Sequence, residues 1–98
     1  MKYEMLCGAA KTVTDGLKDA QMQYEYAVSA RDHGDHETAV RHISEAHKRL
    51  GGVSEWMELL DESEDAKTPL CRVLLNHYKH WHKELMEKVE HFHAQAKA

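Results

Sequence analysis

Apolar side chains recur at Leu6, Ala10, Val13, Leu17, Ala20, Tyr24 and Ala27, and Arg31 continues the row. The steps alternate four and three, which is the seam of a heptad repeat, so the pattern predicts one long helix over about residues 3–32. Thirty helical residues are about 45 Å long. Gly8 and Gly16 each cost roughly 1 kcal/mol against Ala, which marks them for a close helix contact or a frayed end. The row stops at His33-Gly34-Asp35: Gly34 suits a left-handed C-terminal position, and Asp35 suits the N-cap of a second helix.

That second helix is expected over about 36–50, with Ala39, Val40, Ile43, Ala46, His47 and Leu50 on its inner face. Gly51-Gly52 reads as a stop. Ser54 then caps a short third helix whose Trp56, Met57, Leu59 and Leu60 serve the core in preference to docking a partner. Residues 61–68, DESEDAKT, form an acidic connector. Thr68-Pro69 is a helix start, Thr as cap and Pro as first helical residue. The fourth helix is expected over 69–95, with Leu70, Leu74, Tyr78, Trp81, Leu85, Val89, Phe92 and Ala96 inward.

These lengths predict an all-α single domain over residues 1–98: a small helical bundle of two long helices plus a kinked middle rod of two shorter helices. The first and last helices then run parallel, with residue n of the first roughly level with n+64 of the last. Small side chains oppose large ones in that register, Ala20 against Leu85 and Ala27 against Phe92. Cys7 and Cys71 fall at one level, where a disulfide is geometrically allowed but two buried thiols are the expectation.

The stretch from Ala30 to Ala39, with Ile43 and Ala46, resembles the centre of a tetratricopeptide repeat, which places Gly at its inter-helix turn and small residues where its helices cross. The resemblance covers a third of the chain, occurs once, and implies a tight helical hairpin. Tyr26 through Gly34 also looks like the hairpin of ferritin-like proteins. The paired Glu-x-x-His ligands of that family are not in their expected places, so its di-iron chemistry is not carried over.

Composition narrows the function. The formal charge is −4, from 13 Lys+Arg against 17 Asp+Glu, which disfavours a nucleic-acid partner. No apolar run approaches the length of a membrane span or a signal-peptide core. Two cysteines make no disulfide framework, and a reducing cytoplasm is the expected setting. No phosphate loop, GxSxG or HExxH motif is present, so an enzyme is not expected.

Nine histidines are the unusual feature. Protonating all of them would move the net charge from −4 to −4 + 9 = +5, which raises a pH-responsive adaptor as a minor reading. His77 and His80 are three apart on one helix face, Glu90 and His93 form one Glu-x-x-His, and chain reversal brings His42 toward the end that holds His93. His77, His80, Glu90, His93 and His42 are therefore the candidate metal ligands, with zinc or iron as the ion. The first expectation is nevertheless a small soluble non-enzymatic protein acting through protein–protein association as a homo-oligomer or with a protein partner. A His/Glu transition-metal-binding bundle is the alternative.

Overall fold

The computed structural model describes residues 3–63 and 67–96, and side chains from residue 7 onward. Among these residues the fold is all-α, with three helices: α1 (Tyr3–Asp32), α2 (His36–Glu62) and α3 (Pro69–Ala96). The first helix and both turn signals stand where the sequence places them. Gly34 adopts φ 79°, a left-handed conformation open to glycine. The Asp35 carboxylate accepts from the Thr38 backbone N–H at 3.1 Å and so caps α2. Thr68 Oγ1 accepts from the Cys71 N–H at 3.4 Å at the start of α3.

The middle rod is a correction. The two shorter helices expected there are one helix, running through Gly51-Gly52 without a break. Its buried face, Ala39, Ile43, Ala46, Leu50, Val53, Met57 and Leu60, keeps alternating steps of four and three across the glycines. Burying Val53, Met57 and Leu60 stabilises by about 1.5–3 kcal/mol each, which outweighs the roughly 1 kcal/mol that each glycine costs. Both glycines lie on the exposed face of that continuous helix. Ser54 therefore sits inside α2 and caps nothing.

Three helices in sequence alternate in direction, so α1 and α3 are parallel. The Tyr78 hydroxyl lies 2.9 Å from Thr14 Oγ1, at the expected offset of 64 residues. The rings of Tyr24 and Phe92 meet edge to face with centroids 6.2 Å apart. The bundle extends 47 × 19 × 16 Å, close to the length of a single helix of this size.

α1 and α2 approach most closely, and their contact is built from small residues. Ala20 and Ala27 of α1, and Ala39 and Ala46 of α2, are all buried. A Cβ added to Gly16 would lie 2.5 Å from Val53 Cγ2, so this glycine marks a close approach, whereas Gly8 has open space. α3 closes the third side with Leu75, Tyr78, Leu85, Val89 and Phe92. Arg49 pairs with Asp19 across the α1–α2 seam, and Asp61 pairs with Arg72 and Lys79 across the α2–α3 seam.

Several inner-face assignments shift. His47 is exposed, and Val40, Ala10, Tyr24 and Trp81 are half-buried. On α3, Leu75 fills the core in place of Leu70 and Leu74. On α2, Met57 and Leu60 are inside while Trp56 and Leu59 face outward. Cys7 is exposed and Cys71 half-buried, and both are free thiols, so the expectation of buried thiols is also corrected. The Leu6 side chain and residues 64–66 of the acidic connector lie outside what is described.

Candidate functional site

The histidines are distributed along the bundle. His77 and His80 share the outer face of α3, and both are exposed. His80 Nε2 is 3.0 Å from Glu84 Oε1, a pair four residues apart on the same helix. Glu90 is exposed and His93 half-buried near the C-terminal end of that helix. His42 is half-buried on α2, where its Nδ1 donates to Gln23 Oε1 at 2.7 Å and its ring lies 5.4 Å from that of Tyr26. Among the described residues, no three His, Cys, Asp or Glu side chains converge as metal ligands. The structure thus brings His77 near His80 along one helix, and leaves His42, Glu90 and His93 outside any such group.

His82 sits at the α2–α3 contact. It is half-buried, and its Nε2 donates to the Leu50 carbonyl at 2.8 Å. Leu75, Tyr78, His82, Leu85, Val89 and Phe92 form a row of alternating three- and four-residue steps, the true seam of α3. His82 is the polar member of that row, and a backbone carbonyl next to the glycine pair satisfies it.

The surface carries clefts of about 270 to 440 Å³, the largest of these lined by Glu84, Glu87, Lys88 and His91. One at the end of the bundle near the α1–α2 turn is about 280 Å³ and is lined by Arg31, His36, Ala39, Phe92, Gln95 and Ala96. The Arg31 guanidinium sits 4.9 Å from the Phe92 ring centroid there, covering an aromatic face that would otherwise meet water. Pockets for drug-sized ligands run to roughly 300–1,000 Å³.

The opposite end carries a different feature. Leu70 is 80% exposed, Val73 67% and Leu74 43%. Tyr78 and Phe92 face α1, whereas Arg72, Lys79 and His82 reach α2. The apolar surface therefore leaves the core along the α1 side of α3, from Trp81 and Leu74 out to Leu70, Val73 and His77. The His77 and Trp81 rings lie 6.2 Å apart on this strip. On α2 at the same end, Leu59 is 52% exposed and Trp56 41%. Trp56 borders a groove floored by Gly16 and Gly52, with Thr12 and Arg49 on its sides.

Two carboxylates are electrostatically set. Hydrogen bonds from Arg72 and then Lys79 hold Asp61 below the ordinary carboxylate range. Thr38, through its hydroxyl and backbone N–H, does the same for the capping Asp35. Both arrangements serve the fold, one joining α2 to α3 and the other starting α2.

No helix is long and apolar enough to cross a membrane among the described residues. Comparison with known proteins yields no match to a family model, a curated protein or a solved structure.

Proposed function

We propose that this protein is a small non-enzymatic helical module that acts by protein–protein association, and that its first partner is a second copy of itself. The observation that carries the reading is the exposed strip Leu70–Val73–Leu74, continued by His77 and Trp81. Large apolar side chains this exposed and this close together on one helix mark an interaction surface. The steps from 70 to 74 to 77 to 81 are four, three and four, the spacing by which one helix seats against another. A two-fold axis across such a strip makes it its own complement and closes the assembly at two chains. Cytoplasmic residence belongs to the same proposal and is supported by a cysteine count of two, which makes no disulfide framework.

Light scattering on the native chain tests the reading. The mass rises toward that of a dimer with concentration, and Leu70→Glu with Val73→Glu returns it to one chain without lowering helicity. A native chain that stays single at every concentration, or variants that dimerise as before, would overturn the reading.

The metal-binding alternative has weaker support, because its candidate ligands His77, His80, Glu90, His93 and His42 are spread over two helices and the length of α3.

A further inference from the structure

We infer that Cys7 and Cys71 are a paired thiol site, which a low-molecular-weight disulfide such as oxidised glutathione closes into a staple between the first turns of α1 and α3. The parallel run of α1 and α3 puts both at the same end of the bundle. Thr14 meets Tyr78 across the α1–α3 seam. Cys7 lies seven residues before Thr14, and Cys71 seven before Tyr78, so a register carried on from that contact sets the two thiols at about one level, two turns nearer the helix starts. Both are free, Cys7 exposed and Cys71 half-buried, so a small oxidant reaches each of them.

At the Thr14 level a tyrosine ring spans the gap. A disulfide instead asks for Cα atoms about 4.4–6.8 Å apart, so the two first turns draw together as it forms. Gly8, beside Cys7, has open space around it, and Leu70, beside Cys71, is turned to solvent. Terminal turns are also the parts of a helix that move at least cost.

The chemistry is thiol–disulfide exchange. The Cys7 thiol loses its proton and attacks one sulfur of oxidised glutathione. That forms a mixed disulfide and expels one glutathione. The Cys71 sulfur, likewise deprotonated, then attacks the Cys7 sulfur, forming the Cys7–Cys71 bond and expelling the second glutathione. The protein gives up two electrons and two protons, and the oxidant takes up both. The bond joins residues 64 apart, so it restricts most of the unfolded chain.

The test is intact mass, free-thiol count and thermal melting of the reduced full-length chain, before and after oxidised glutathione. The expected product is a single chain lighter by two hydrogens, with no alkylatable thiol and a melting temperature raised by roughly ten degrees or more. Cys71→Ser, with its helicity intact, stops at one glutathione adduct on Cys7 and gains no such rise. A native chain that ends with two glutathione adducts, forms covalent dimers or stays reduced would overturn the inference. Intact mass and free-thiol count do not depend on whether the reduced chain self-associates, and the melts are compared at one chain concentration.

Discussion

Thr14 and Tyr78, sixty-four residues apart, join the two parallel helices through a hydroxyl–hydroxyl contact of 2.9 Å. The Thr14 hydroxyl also lies 2.9 Å from the Ala10 carbonyl and has one hydrogen to give. It donates that hydrogen to Ala10, and the Tyr78 phenol donates to Thr14. Tyr78 is nearly buried, so this hydroxyl pair is a specific polar link across the α1–α3 seam. Tyr78→Phe keeps the ring and removes the donor. It should lower unfolding free energy by about 1 kcal/mol, and a double-mutant cycle with Thr14→Ala should recover a coupling of about that size. Denaturant titration of the four proteins checks both.

The glycines make opposite predictions according to their surroundings. Gly51 and Gly52 sit in the interior of α2 with open space where a Cβ would go. Gly51→Ala and Gly52→Ala should each stabilise by up to about 1 kcal/mol. Gly16→Ala forces a methyl group against Val53 and should destabilise by about 1–3 kcal/mol. Thermal melts of the three single variants separate a helix that runs through the glycine pair from one that breaks there.

Asp61 ties α2 to α3 through Arg72 at 2.8 Å and Lys79 at 3.2 Å. Its carboxyl is held below the ordinary range, so the folded state favours the ionised form. The sign follows: its contribution is complete above the unfolded carboxyl value of about 3.9 and disappears as pH falls through the lower folded value. The native chain should therefore lose melting temperature more steeply than Asp61→Asn between about pH 5 and pH 2, the two curves converging at the acid end. Parallel curves over that window would show that the bridge adds nothing to stability.

Much of the fold was legible because its signals are local. Gly34, Asp35 and Thr68-Pro69 mark chain reversals by backbone chemistry that no tertiary contact alters. The Ala-rich row of α1 and the larger residues of α3 made the parallel offset readable before any coordinates. Gly51-Gly52 misled because a local stop signal competed with a periodic one, and the row through Val53, Met57 and Leu60 won. Leu74 and Leu75 are adjacent and 100° apart around the helix, so which one enters the core depends on where α2 lies. That choice is tertiary, and it turned Leu70 and Leu74 outward.

The candidate chemistry was less legible for the same reason. Spacing along one helix correctly placed His77 and His80 on one face. It carried no information on whether His42 or His93 would join them. His82 could have been recognised from the three–four row that starts at Leu75, where it stands as the polar member opposite a backbone carbonyl.

The account turns on the strip at the start of α3. Amide chemical shifts of the isotopically labelled chain, followed on dilution from millimolar to micromolar concentration, test it most directly. The prediction is concentration-dependent shifts concentrated at Leu70, Val73, Leu74, His77 and Trp81. A spectrum unchanged on dilution, or shifts centred on another face of the bundle, would contradict it.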